Sequence, residues 1–122
     1  TELNRRLRAA GHDTIANSSH PGFVMTNLQT NSMAESGAPL GERILYGLAG
    51  PIMAQDVSMG VLPQLYGSTA PEAKGGLFYG PNTLRMRGYP AEQKCNDALK
   101  DADLLKRFWE ASEELTGVHY LD

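Results

Sequence analysis

The chain has 122 residues, of which 41% are apolar and 20% are charged, and its formal net charge is -3. This length fits one small domain with a single core. Because nucleic acids and anionic membranes recruit clustered lysine and arginine, the mild acidity argues against both as partners. The longest stretch without charged residues, 14–34, is rich in serine, asparagine and threonine. We therefore predict no membrane span.

A single cysteine, Cys95, excludes an internal disulfide framework and a zinc site built from several cysteines. A lone thiol fits a reducing compartment, and we expect a cytoplasmic protein. The chain opens on Thr-Glu-Leu-Asn-Arg-Arg-Leu, which is already an amphipathic helical pattern without a signal peptide. We therefore expect it to be a segment of a longer protein.

The first third of the chain predicts a helix followed by a short strand. Leu3, Leu7 and Ala10 recur at helical spacing, and Gly11 follows where a left-handed cap would end the helix. Residues 14–19 are typical of a short strand with small side chains, which Pro-Gly at 21–22 would end. The polar residues at 23–40 predict a loop that is long enough to have a function.

The remainder predicts helices around a second strand. Asp56 can cap a helix in which Pro63 should introduce a kink. Residues 77–79 predict a strand that ends at Gly-Pro, and 101–116 predict a last helix ended by Gly117. The buried side of the first of these helices is predicted to be Val57, Val61, Leu62, Leu65 and Tyr66. The inner stripe of the last is predicted to be Leu104, Leu105, Phe108, Trp109, Ser112 and Leu115.

Helices between two strands imply a right-handed parallel crossover. Two strands are too few for an independent parallel sheet, which normally has both faces covered and more neighbours. We therefore predict an α/β fold in which residues 1–122 form the C-terminal part of one doubly wound Rossmann-type sheet, two strands with flanking helices. The strand at 14–19 would otherwise leave a row of unpaired backbone groups, so we expect something to complete the sheet there.

The segment His-Pro-Gly-Phe-Val-Met-Thr at 20–26 is the best candidate for a functional site. A strand that ends in Pro-Gly places backbone groups at the carboxyl edge of a sheet, where α/β proteins bind ligands. Gly22 permits a ligand to approach the backbone closely, and Thr26 offers a hydroxyl group. An ordinary turn followed by a capping threonine explains the same residues.

Other chemistry is less well supported by the sequence. His12 and Asp13 could ligate a metal, but two ligands do not make a set of three or four. Ser18 and Ser19 stand beside His20, but neighbours in a strand point to opposite faces and no Gly-x-Ser-x-Gly elbow surrounds them. We therefore predict neither a metal site nor a serine nucleophile.

Taken in order, several segments resemble the C-terminal part of a short-chain dehydrogenase/reductase, in particular the branch of retinol dehydrogenases and protochlorophyllide reductases. Pro-Gly-x-x-x-Thr at 21–26 resembles the nicotinamide loop of that family. Glu-Leu-x-Arg-Arg-Leu at 2–7 resembles the second half of the helix that follows its catalytic Tyr-x-x-x-Lys. Three segments are similar to the branch's late helix, last strand and following loop: Leu-Pro-x-Leu-Tyr at 62–66, Gly-x-x-Tyr-Gly-Pro at 76–81 and Arg-Gly-Tyr-Pro at 87–90.

The resemblance implies NAD(P)-dependent hydride transfer between an alcohol and a carbonyl, in which the cofactor carries the chemistry. Pro21, Gly22 and Val24 would line the nicotinamide carboxamide through backbone groups, and Thr26 would hydrogen-bond to the carboxamide or the pyrophosphate. Residues 27–54 would form a substrate lid, of low local stability over 27–38. The apolar side chains around it suggest a lipophilic small-molecule substrate: Met25, Leu28, Met33 and Leu40.

The chain departs from the family pattern in what it lacks. The glycine-rich dinucleotide loop and the catalytic Asn, Ser, Tyr and Lys are absent, and no tyrosine is followed by a lysine four residues on. The choice between NAD and NADP therefore stays open. We expect the intact protein to be an enzyme and this chain alone to be inactive, associated with an upstream part or as a homo-oligomer. The alternative is a non-catalytic interaction module that associates through its helices and edge strand.

Overall fold

A computed structural model describes residues 2–26, 35–37 and 39–121. A 3-10 helix at Asp97–Lys100 connects the last strand to the last helix. The helices are α1 (Glu2–Ala9), α2 (Leu40–Met53), α3 (Val57–Gly60), α4 (Leu62–Thr69) and α5 (Ala102–Thr116), and the strands are β1 (Ser18–Ser19), β2 (Phe78–Thr83) and β3 (Arg87–Glu92). The described part of the chain is thus mixed α/β, as predicted.

The strands form one small sheet in the order β1-β2-β3. β1 runs parallel to β2, with Ser18 opposite Phe78, whereas β2 and β3 are antiparallel, with Tyr79 opposite Glu92. The predicted parallel pair is therefore confirmed. Within the described residues β1 pairs only with β2, so it lies at an edge of the sheet.

The prediction of two strands was wrong, because residues 87–90 lie in β3 and not in a loop. Leu84 and Arg85 have φ values of 52° and 59°, and this left-handed turn folds the chain back on β2. Such hairpin turns are usually marked by Asn-Gly, which this sequence lacks here. β2 also continues through Gly80 and Pro81, where the sequence predicted its end, because β3 pairs with both residues.

β1 is shorter than the strand predicted at 14–19. The backbone N–H of Ala16 donates to the side-chain oxygen of Asn4 across 3.1 Å. The side-chain amide of Asn17 donates to the carbonyl oxygen of Gly67 across 2.7 Å. Polar groups before Ser18 are thus satisfied by α1 and α4, and regular strand pairing begins only at Ser18.

Pro63 lies in the first turn of a helix, where the sequence predicted a kink. α3 ends at Gly60 and α4 starts at Leu62, so the proline occupies the first turn of α4, where its missing N–H needs no partner. The predicted cap before this region is confirmed, since Asp56 accepts a hydrogen bond from the backbone N–H of Ser58 at 2.8 Å. The region is therefore two short helices with a break at Val61.

The core lies where α4 packs on the sheet. The rings of Tyr66 and Tyr79 meet edge to face with centroids 5.2 Å apart, and Tyr79 is buried. Part of the predicted stripe of α5 does not contribute, because Phe108 is 71% exposed and Leu115 is 86% exposed. The reason is that α5 packs on α1 and the 3-10 helix and not on a sheet face.

A charged cluster joins α1 to α5. Glu2 is buried and accepts hydrogen bonds from Arg5 and Arg6, and with Arg5 as the main cause the pKa of its carboxyl falls to about 2. The guanidinium of Arg6 also lies 4.6 Å from the ring centre of Trp109, a cation–π contact. No helix in the described residues has the length and apolarity needed to cross a membrane.

Candidate functional site

The loop at 20–26 leaves the sheet at the carboxyl end of β1. The backbone N–H of His20 makes the last hydrogen bond to β2, with the carbonyl oxygen of Tyr79 at 3.0 Å. The chain then turns at Gly22, which has a φ of +74°. The N–H of Phe23 donates to the carbonyl oxygen of Met86 across 2.7 Å. The loop therefore lies against the turn that joins β2 to β3.

Gly22 is required by this packing. A Cβ atom there would lie 2.3 Å from the carbonyl oxygen of Met86 and 2.6 Å from Cγ of Pro81. The positive φ is also unfavourable for any residue with a side chain. The close approach seen at Gly22 is thus to the chain's own backbone, and its predicted approach to a cofactor stays a prediction.

Gln55 fixes the loop in place. Its side chain is buried, its amide nitrogen donates to the carbonyl oxygen of Pro21 at 2.7 Å, and its amide oxygen accepts from the N–H of Gly88 at 2.8 Å. Its backbone N–H donates to the carbonyl oxygen of Phe23 at 2.9 Å. One residue therefore ties the loop to β3 and to the junction of α2 and α3. No signal in the sequence marks this residue, because a single glutamine before a capping aspartate has no motif around it.

Val24, Pro21 and Thr26 meet at one shallow depression of about 310 Å³. Val24 is buried, and a Cβ on Gly60 would lie 2.4 Å from its Cγ2, so α3 packs directly on the loop. Pro21 and Thr26 are exposed. The depression is lined by Pro21, Val24, Thr26, Val57, Gly60, Val61 and Gln64. Three of the four predicted site residues thus share one surface, and Gly22 is not among the residues that line it.

His20 stabilises the start of the loop. Its Nδ1 accepts a hydrogen bond from the N–H of Gly22 at 3.2 Å, and its ring stacks on Phe78 with centroids 5.0 Å apart. Its Nε2 is buried beside Gly80 without a hydrogen-bond partner among the described residues. Burial, and to a smaller extent Arg85, lower the pKa of His20. The imidazole is therefore neutral at pH 7, and its accepting Nδ1 assigns the proton to Nε2.

Half of the predicted lid at 27–54 is the helix α2. Residues 27–34 and 38 lie outside the described residues, and the predicted low stability of 27–38 falls largely on them. In α2, apolar side chains recur every fourth residue on an exposed face. They are Leu40 (72% exposed), Ile44 (53%), Leu48 (71%) and Ile52 (75%).

The site has backbone groups and one hydroxyl group, but it lacks an evident acid–base pair. Within the described residues, no group of three or more His, Cys, Asp or Glu could hold a metal ion. Tyr79 is buried, and its hydroxyl accepts a hydrogen bond from the backbone N–H of Lys74 at 2.8 Å, which holds it in the core. The arrangement can bind and orient a small polar group.

Comparisons with models of protein families, with curated proteins and with solved structures found no match.

Proposed function

We propose that this chain is the C-terminal segment of an NAD(P)-dependent oxidoreductase of the short-chain dehydrogenase/reductase type, built on a Rossmann-type sheet. The observation that carries the proposal is the position of the Pro-Gly-x-x-x-Thr loop. It begins at the carboxyl end of β1 in a parallel pair, the edge at which α/β sheets bind ligands, and it leaves Pro21 and Thr26 exposed. The reaction would be hydride transfer between the alcohol and carbonyl forms of a lipophilic small molecule.

The depression fits one end of the cofactor. At about 310 Å³ it is at the small limit of ligand pockets and matches a nicotinamide ring better than a whole dinucleotide. Thr26 would hydrogen-bond to the carboxamide or the pyrophosphate, and backbone groups of Pro21 and Val24 would line the ring. When bound, the nicotinamide would supply the carbon that carries the hydride. Gln55 and Gly22 would act as positioning residues, since they hold the loop against β3.

The sequence upstream of residue 1 in the gene tests this proposal first. The proposal requires Tyr-x-x-x-Lys roughly 10–15 residues upstream, about three to four helical turns before α1, and a glycine-rich loop near the beginning of the protein. The complete protein should then bind NADH or NADPH, measured as a change in the fluorescence of the reduced nicotinamide on titration. A complete protein that lacks both motifs and binds neither cofactor would refute the proposal.

The second candidate function is a non-catalytic interaction module. The exposed row on α2 supports it, because Val57 and Val61 on the next turns of the chain are also exposed, at 58% and 43%. In that case Ile44→Asp and Leu48→Asp should abolish association with a partner or a second copy, measured by sedimentation equilibrium. Cofactor binding by the complete protein would decide for the oxidoreductase. Association that depends on these residues, without cofactor binding, would decide for the module.

A further inference from the structure

A groove of about 660 Å³ lies on the sheet face that α4 leaves uncovered. Tyr79 points toward α4, and because successive residues of a strand face opposite sides, Phe78 points away from it. Phe78 lines the groove together with Leu77 and Leu99, and Ser18 adds a hydroxyl group. The floor of the groove is therefore largely apolar, and its volume lies within the range of small-molecule sites.

Two cations line the same groove. The guanidinium of Arg85 donates to the backbone carbonyl oxygen of Lys94 across 2.9 Å, and both residues are lining residues. Among the side chains that the structure describes, no acid pairs with either cation. Asp97, which follows soon after Lys94, pairs with Lys100 instead. A guanidinium has five N–H donors, so Arg85 keeps donors for a ligand.

The backbone at Arg85 adds an independent observation. Leu84 and Arg85 are consecutive residues in the left-handed region, at φ 52° and 59°. Glycine and asparagine are the favoured residues in such a turn, so this sequence keeps an arginine where the backbone disfavours it. Strained positions of this kind concentrate at binding sites, where the surrounding structure holds them. Here the strained turn sets Arg85 over the groove.

We propose that this groove binds a small amphipathic anion. Arg85 and Lys94 would hold a carboxylate or phosphate headgroup, because both groups accept charge-assisted hydrogen bonds from these cations. The apolar body of the ligand would lie along Leu77, Phe78 and Leu99. None of these lining residues belongs to the loop at 20–26, but the ring of His20 at the start of that loop stacks on Phe78, so the groove adjoins the loop.

Cys95 provides a reporter for the site. It is the only cysteine of the chain and it lines the groove, so its alkylation by N-ethylmaleimide should be slowed when the groove is filled. Octyl phosphate and octanoate serve as anionic probes, and octanol and octyltrimethylammonium serve as controls of the same chain length. We expect at least one anion to slow alkylation roughly tenfold at ten times its dissociation constant, since the reaction needs the empty groove. Which anion protects distinguishes a phosphate headgroup from a carboxylate.

Three variants separate this site from non-specific binding. Lys94→Gln and Arg85→Gly should abolish the protection of Cys95 by the anions. Because glycine relaxes the left-handed turn, the loss of protection in Arg85→Gly is not due to unfolding. Lys100→Gln is the matched control, since that lysine pairs with Asp97 and is not a lining residue. Absence of protection in the wild type, protection by octanol or the cation as strong as by the anions, or equal protection in all variants would overturn the proposal.

Discussion

The side-chain amide of Gln55 donates a hydrogen bond across 2.7 Å to the carbonyl oxygen of Pro21, a residue 34 positions earlier in the chain. The same side chain accepts from Gly88 on β3. Gln55→Met keeps the length of the side chain and removes both hydrogen bonds, which leaves a carbonyl and an N–H without partners. We expect the free energy of unfolding in urea to fall by about 2–3 kcal/mol.

Two further substitutions sharpen this test. Gln55→Glu keeps an acceptor for Gly88 but places a buried carboxylate oxygen beside the carbonyl oxygen of Pro21, so at pH 7 its stability should fall at least as far as that of Gln55→Met. Gln64→Met is the control and makes the same chemical change. The side-chain amide of Gln64 lies beside carbonyl oxygens of its own helical region, those of Gly60 and Val61. A loss of stability as large in Gln64→Met as in Gln55→Met would contradict the role of Gln55 as the clamp of the loop.

Gly22→Ala should destabilise the fold more than Gly11→Ala. Both glycines have positive φ, +74° and +79°, so both substitutions carry the conformational cost of about 1 kcal/mol or slightly more. A Cβ on Gly11 meets nothing within 4 Å, whereas one on Gly22 would overlap the carbonyl oxygen of Met86. The difference between the two variants in chemical denaturation should be about 1–3 kcal/mol, the usual cost of overpacking. Equal losses would mean that the turn at Met86 moves aside freely.

Stability should depend on pH through His20. Its pKa in the folded chain lies below the ordinary value of 6.5, mainly because of burial. Between the two values the unfolded chain binds more protons, so this contribution to stability is complete above pH 6.5 and is lost as the pH falls through the folded pKa. Unfolding measured from about pH 7.5 down to pH 5.5 should show this decrease, and His20→Gln should remove it. His12→Gln makes the same substitution at an exposed position and is the matched control.

Thr26→Val tests the cofactor site in the complete protein. We expect the binding free energy of NAD(P)H to weaken by about 1 kcal/mol, the usual net value of one hydrogen bond, with little change in stability because Thr26 is exposed. Thr83→Val is the matched control, because Thr83 is exposed at the end of β2 and does not line the depression. Equal dissociation constants for wild type and Thr26→Val, measured by fluorescence titration, would remove Thr26 from the proposed site.

Local signals in the sequence predicted much of the fold. Gly11 and Gly117 follow the ends of α1 and α5 with positive φ, and Asp56 caps α3, as predicted. These features depend on neighbouring residues alone, because caps satisfy backbone groups within one turn. β3 was not predicted, because it does not depend on neighbouring residues alone. Its turn at Leu84 has no local signature, and only the pairing with β2 makes that conformation favourable.

The candidate site divides in the same way. The sequence by itself determined that a Pro-Gly-x-x-x-Thr loop follows a strand, and that this strand pairs in parallel with the strand that includes Phe78. Only the tertiary structure decided that Gln55 holds the loop, that Gly22 faces Met86, and that Arg85 and Lys94 meet over one groove. The first two of these contacts join residues far apart in the chain, and the third depends on the hairpin of β2 and β3. Their energies depend on distances that the folded backbone sets, and no spacing in the sequence encodes them.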